Sequence, residues 1–324
     1  MQSQPELQEY FQSVLPDIES CIREHLYSLN SHVFPVASHV LNSGGKRLRP
    51  LLCLLVAGAM GQRGSAVLPL ACSLEFVHSA TLLHDDILDN SELRRGRQAA
   101  HLVFGMKETI LAGDALLARA NKIISGYGNT DLVSCISEAI SSTVTGEILE
   151  IQKMCQPNLS RAEYLEIIKG KTGYLIQASC ESGAILAGNS EAEREAAREL
   201  GLNLGVAFQL VDDALDYTPA TDLGKPMGGD LREGKITMPL IHFLRELDSE
   251  QQKSFLARAK DKELSEEELD RAMRRIRSSG LHLRAREEAE PYLRTAHQAL
   301  DNFPESREKS LLARMLEYIR YRDN

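Results

Sequence analysis

Apolar residues return at every third or fourth position through residues 6–30, 46–60, 66–90, 104–126, 131–154, 160–188, 190–217 and most of 236–320, and no stretch sustains an alternation of period two. That pattern admits helices and little else, so the expected fold class is all-α. Turn chemistry places the breaks at Gly61-Gln62-Arg63-Gly64, Ser125-Gly126-Tyr127-Gly128-Asn129, Gln156-Pro157-Asn158 and Gly188-Asn189. Ser160 with Glu163, Ser190 with Glu193 and Ser265 with Glu268 have the spacing of capping boxes at the next helix starts. No Pro/Ser/Gly linker interrupts the chain, so residues 1–324 read as a single domain. Residues 245–324, rich in Lys, Arg and Glu with a narrower apolar stripe, read as peripheral amphipathic helices of that domain.

Charge and cysteine usage remove several classes of function. A net charge of −9 argues against a nucleic-acid surface, which needs an excess of Lys and Arg over one face. The purely apolar run Leu51 to Met60 is about half of the roughly 20 residues that cross a bilayer, so no transmembrane segment is expected. The start, Met1-Gln2-Ser3-Gln4-Pro5-Glu6, has neither a basic nor an apolar stretch, and a cytoplasmic address is expected. Cys21, Cys53, Cys72, Cys135, Cys155 and Cys180 lack metal-ligand spacing and read as buried reduced thiols.

Two copies of one acidic motif stand out. Asp85-Asp86-Ile87-Leu88-Asp89 and Asp212-Asp213-Ala214-Leu215-Asp216 each follow a long apolar helical run. Aspartates at i and i+4 lie one above the other on a helix face and repel unless a cation sits between them. Hard carboxylate oxygens without thiolates suit magnesium, which takes one or two carboxylates together with waters and substrate phosphates. Cationic residues follow both trios: Arg94-Arg95-Gly96 the first, Lys225 and Gly228-Gly229-Asp230-Leu231-Arg232-Glu233-Gly234-Lys235 the second. Gly44-Gly45-Lys46-Arg47-Leu48-Arg49-Pro50 adds three positive charges in one turn, suited to gripping a phosphate group without metal. Together these patterns suggest a magnesium-diphosphate site formed by distant segments. His78 and His84 flank the first trio at a spacing that puts them on different helix faces, which fits packing or substrate contact better than metal ligation.

From about Gly44 to Pro239 the chain resembles the trans-isoprenyl diphosphate synthases, or polyprenyl synthetases. The motifs that carry the resemblance are Gly44–Pro50, Glu75–Asp86, Arg94-Arg95-Gly96, Lys171-Thr172-Gly173, Phe208–Asp213 and Leu223–Asp230, in family order. The resemblance implies an isoprenoid-synthase bundle of roughly ten or more helices around a central cavity. It implies that Asp85, Asp86, Asp89, Asp212 and Asp216 hold up to about three magnesium ions against an allylic diphosphate. Lys171, Thr172, Gln209, Lys225, Lys235 and Arg94 match positions that contact or neutralise that substrate, and Asp213 belongs to the same catalytic group. Lys46, Arg49, His78 and Arg95 match the pocket for isopentenyl diphosphate. A homodimer is implied as well.

In such a family the allylic C1–O bond ionises as pyrophosphate leaves, the isopentenyl double bond attacks C1, and a proton is lost. Product length is set below the metals. On a helix ending at Asp85, Val77, Ala80 and Thr81 lie along that wall. Where the resembling family stops growth early with Phe or Tyr, Ala80 and Thr81 are small, so a long all-trans product, around octaprenyl, is expected. Phe104 and Met106 are candidates for a deeper floor. A short-chain farnesyl or geranylgeranyl synthase is the nearest alternative. A class I terpene cyclase would pair one Asp-rich motif with a different metal motif, and a regulatory subunit would have lost acidic ligands; two intact trios speak against both.

Overall fold

A computed structural model describes residues 4–154, 156, 159–218, 228–261 and 263–322. The elements run in order α1 (Pro5–Tyr27), α2 (Phe34–Leu41), α3 (Leu48–Ala59), α4 (Val67–Leu88), a hairpin of β1 (Leu93–Arg94) and β2 (Arg97–Gln98), α5 (Ala100–Phe104), α6 (Met106–Ser125), α7 (Thr130–Lys153) and α8 (Arg161–Ile168). A π-helical turn, Lys169–Gly173, leads into α9 (Tyr174–Leu186) and α10 (Glu191–Leu215), followed by α11 (Gly229–Arg232), α12 (Met238–Leu244), α13 (Ser249–Lys260), α14 (Glu266–Ser278), α15 (Leu281–Glu287), α16 (Glu290–Ala299) and α17 (Arg307–Arg320). The all-α expectation holds, apart from the two-residue strands.

Local chemistry sets the helix starts where it was expected to. Ser160 Oγ accepts from the Glu163 N–H at 3.2 Å while the Glu163 carboxylate accepts from the Ser160 N–H at 2.9 Å. Ser265 and Glu268 do the same, as do Ser190 and Glu193. Asp248 with Gln251 forms a further box. Each cap is worth about 1 kcal/mol.

By packing, the chain forms two compact units: Met1–Ile140, Ala178–Arg198 and Asn302–Arg314 in the first, and Ser141–Gln177, Glu199–Asp301 and Met315–Asn324 in the second. Four of the boundaries fall inside helices, in α7, α9, α10 and α17. In the first unit α4 packs along α3 and α6 and buries Leu70, Leu74, Phe76, Val77, Ala80 and Leu83. Truncating such a residue as Phe76 to Ala costs about 3–5 kcal/mol, so the helix that ends in the first Asp trio is firmly seated. In the second unit α12 packs on α14 and α15, and α10 buries Leu204, Leu210, Val211 and Ala214 behind the second trio.

Among the described residues two helices are apolar and long enough, by length and composition, to cross a membrane, although the purely apolar run gave no such expectation: Val67–Leu88 and Thr130–Lys153. The first is a core helix, with 67% of its apolar window buried. Cys21, Cys53, Cys72 and Cys180 are buried free thiols, as expected, whereas the free thiol Cys135 is only half-buried; Cys155 lies outside the described residues.

Candidate active site

Each Asp trio straddles the C-terminal end of its helix. Asp85 and Asp86 lie in the last turn of α4 and Asp89 caps it, its N–H donating to Asp85 O at 2.8 Å; Asp216 follows α10 in the same way, donating to Asp212 O at 3.2 Å. A helix C-terminus carries the negative end of the dipole. Three carboxylates there make a local anionic site that calls for cations.

In the first unit the outer aspartates, Asp85 and Asp89, are half-buried and the middle one, Asp86, is 1% exposed. Asp86 Oδ1 accepts the Arg94 fork, from Nε at 2.7 Å and from Nη2 at short range. The hairpin explains how Arg94 reaches back: Arg95 and Gly96 both have positive φ, +52° and +76°, as a two-residue type I′ turn requires. The same turn carries Arg95 against Gly45. A Cβ built on Gly45 would sit 2.7 Å from Arg95 Nη1, so this glycine provides close approach.

Arg49, Arg95 and His78 gather in this unit. Burial drives the Arg49 pKa down to about 10, with Glu75 supporting its charge and Arg95 opposing it, and Arg49 Nε is buried with no hydrogen-bond partner. Burial and the arginines around it, Arg49 first, push the His78 pKa well below its ordinary value, so the ring is neutral at pH 7. Two guanidinium groups with one carboxylate among their neighbours and an unsatisfied buried N–H suit an anion. Lys46 is exposed at the edge of the same turn. His84 packs through Nε2 on Ile110 O at 3.1 Å.

In the second unit the pattern of exposure repeats. Asp212 and Asp216 are half-buried and Asp213 is enclosed. Asp213 Oδ1 accepts from Gln209 Nε2 at 2.7 Å and Oδ2 accepts from the Tyr164 hydroxyl, while Thr172 Oγ1 donates to Gln209 Oε1 at 2.8 Å. Three of the expected residues are thus one hydrogen-bonded chain. Burial pushes the Asp213 pKa up to about 7, against the two hydrogen bonds that favour its charged form. Asp216 accepts from the N–H groups of Gly229 and Asp230 at 3.3 and 3.2 Å. Asp212 pairs with Arg322 at 2.7 Å, whose guanidinium also lies 4.9 Å from the centre of the Phe208 ring.

Lys171 sits in the π-helical turn, a form frequent at functional sites. Its ammonium binds Glu147 at 2.8 Å and Glu150 at short range; burial opposes the charge, but the two acids more than offset it and raise the pKa. Lys235 binds Glu233 at 2.7 Å. Lys225 lies outside the described residues. Tyr164, Glu147, Glu150 and Arg322 were not singled out from the sequence, where nothing distinguishes them from ordinary helix residues.

Of the chain-length positions, Val77 and Ala80 are fully buried, and Thr81 is half-buried with its hydroxyl donating to His78 O at 2.8 Å. The expectation that Phe104 and Met106 face inward needs correction. Met106 is 55% exposed, and Phe104, half-buried, sets its ring edge 5.5 Å from His39, because α5 is a short surface helix.

The carboxylates suit magnesium chemically: each helix end by itself offers two hard carboxylates one turn apart, a donor set that magnesium completes with water and phosphate. Among the described residues no three His, Cys, Asp or Glu side chains are grouped so as to hold a metal ion by themselves.

Residues 30–276 match the Polyprenyl synthetase family. The octaprenyl diphosphate synthase of Haemophilus influenzae is 38% identical over 240 residues, 73% of either chain. The geranylgeranyl pyrophosphate synthase of Geoglobus acetivorans is 35% identical over 297 residues, 90% of this chain and 91% of its own. A polyprenyl synthase from Caulobacter crescentus, crystallised with calcium and isoprenyl diphosphate, superposes with a TM-score of 0.92 at 36% identity over 99% of this chain and 98% of that one.

Proposed function

We propose, for a chain that belongs to the polyprenyl synthetase family and is a prenyltransferase, that it condenses isopentenyl diphosphate with an allylic diphosphate, farnesyl diphosphate by preference, in a magnesium-dependent reaction giving a long all-trans polyprenyl diphosphate, around octaprenyl. The observation that carries this reading is the repeated helix end: two half-buried carboxylates one turn apart, a third turned inward, and cationic side chains close by. The calcium and isoprenyl diphosphate bound by the Caulobacter relative support it.

Asp85, Asp89, Asp212 and Asp216 are the proposed outer magnesium ligands, and Asp86, turned inward onto Arg94, joins them as Arg94 exchanges it for phosphate oxygens. Bound magnesium supplies positive charge to the pyrophosphate as it leaves. Arg94, Lys171 and Lys235 add charge to the same group, each exchanging its present acid partner for phosphate oxygens, and Lys225 is assigned this role by its motif. Thr172 and Gln209 orient, since both belong to the hydrogen-bonded chain that ends on Asp213. Every ~1.4 kcal/mol of differential stabilisation of the leaving group speeds C1–O cleavage about tenfold. The bonding pair departs with pyrophosphate, the isopentenyl double bond forms the new bond at C1, and the proton lost goes to the departing diphosphate, so no basic side chain is required. Lys46, Arg49, Arg95 and His78 hold the isopentenyl diphosphate in reach of C1.

Ala80 and Thr81 support a long product, being small where a bulky ring would obstruct a growing chain. Exposed Leu102, Val103, Met106, Ile110 and Leu111 on α5 and α6 support pairing with a second copy. The chain is further read as one folding domain, which a single cooperative unfolding transition would bear out.

The test is to incubate the purified protein with magnesium, isopentenyl diphosphate and farnesyl diphosphate and to chromatograph the dephosphorylated products. Linear polyprenols near octaprenol are expected, shorter ones from Ala80→Phe, and none after chelation. Cyclised hydrocarbon or no turnover rejects the proposal; an unchanged length in Ala80→Phe rejects the wall.

A further inference from the structure

Arg47 stands between two residues assigned to diphosphate binding, yet its side chain goes the other way. It is 3% exposed, and its backbone holds a left-handed φ of +45° at the start of α3, a conformation that costs an L-residue about 1–2 kcal/mol. Its guanidinium is divided among three elements: Nη1 donates to Glu75 of α4 at 2.8 Å, Nε to Glu19 of α1 at 2.8 Å, and Nη2 to the Leu41 carbonyl at the end of α2 at 2.6 Å. Planar fork geometry makes this a fixed clamp that lysine cannot reproduce.

Glu75 has a second role. It is 2% exposed and one helical turn before His78 on α4. Besides pairing with Arg47, it is the foremost favourable charge acting on both Arg49 and Arg95. Arg95 in turn lies against Gly45 of the turn that Arg47 clamps. A single enclosed carboxylate therefore backs three guanidiniums, and one of these pins the segment that carries Lys46 and Arg49.

We propose that Arg47 and Glu75 are positioning residues for the isopentenyl diphosphate: Arg47 locks the Gly44–Pro50 turn onto α1, α2 and α4, and Glu75, fixed by Arg47, supplies the counter-charge that holds Arg49 and Arg95. Neither touches the substrate. This rests on the reading that Arg49, Arg95 and His78 receive that diphosphate. A buried ion pair can often be replaced by apolar residues with little loss of stability, whereas removing one partner is damaging. Retention of this pair for stability alone would therefore be dispensable, and retention for aim would not.

The test compares steady-state kinetics of Glu75→Gln, Arg47→Lys, Arg49→Lys and the double variant Arg47→Met/Glu75→Leu. Either Glu75→Gln or Arg47→Lys is expected to raise KM for isopentenyl diphosphate about tenfold while KM for the allylic substrate stays within about twofold. The double variant is expected to unfold near the wild-type temperature yet keep the raised isopentenyl KM. Should the double variant regain a normal isopentenyl KM along with its stability, or should both KM values move together or not at all, the pair is merely structural and the proposal is overturned. If Glu75→Gln does not fold, Arg47→Lys and the double variant decide. Arg49→Lys separates the layers: an unchanged isopentenyl KM there rejects the underlying site, whereas a raised one beside a normal KM in Glu75→Gln rejects only the positioning role.

Discussion

The end of α4 and the end of α10 spell almost the same five residues, and both turn the middle aspartate inward while leaving the outer two accessible. What meets the inward carboxylate differs. Asp86 receives a guanidinium from Arg94, so its charge is balanced by an ion pair. Asp213 receives a phenol and an amide from Tyr164 and Gln209, neutral donors that leave burial dominant. One motif is thus braced by charge and the other by a neutral hydrogen-bonded chain that leads to Thr172. Identical letters guarantee the outward pair, because helical spacing fixes it; they say nothing about the brace.

The comparison can be broken most severely at the outward pair. Asp85→Ala and Asp212→Ala are each expected to cut turnover at least about a hundredfold with the fold retained; a near-normal rate in either removes that motif from catalysis. A smaller contrast is expected at the inward residues. Asp86→Asn leaves Arg94 without its counter-charge and should cost about 1–3 kcal/mol of stability, whereas Asp213→Asn loses one neutral bond and should cost about 1 kcal/mol. Equal losses in denaturant melts would dissolve the distinction. The smallest effect is one of pH at His78, on the charge-rich side. Its folded pKa lies well below the unfolded value of about 6.5, so above that pH it contributes no slope. Below it the unfolded chain takes up a proton that the folded protein refuses, and stability falls. His78→Gln should flatten the stability profile between about pH 6.5 and 5; an unaltered slope would show that burial and the arginines do not act on this ring.

Much of this was legible from residues alone. Apolar periodicity located the long helices to within a few residues, and the Ser-x-x-Glu boxes located three of their starts. Periodicity ran α1 and the following turn together, because Ser28 to Asn30 carry no strong breaker, and so missed the eight-residue α2. It also missed the hairpin, since two-residue strands are too short to show alternation. At the site, residue types and order gave the outer aspartates, the arginine loop and the phosphate-suited turn. Pairing was illegible: Tyr164 meets Asp213 across 49 positions, and Lys171 finds Glu150 across 21. Within the Gly44–Pro50 run nothing in the letters distinguishes Arg47, which turns inward onto Glu75 and Glu19, from Arg49, which neighbours His78 and Arg95.

Gly146 and Gly170 touch through bare backbone: a Cβ on either would come within 2.7 Å of the other's Cα. Glu147 and Lys171 are the next residues along each strand of chain, so this crossing welds an acid and its ammonium partner into one register with no side-chain cushion to compress. Whatever freedom Lys171 has to release its acids must come from torsions in its own four-carbon tether. If Lys171 carries charge to a departing diphosphate as proposed, its exchange of partners calls for no travel of the two helices past one another.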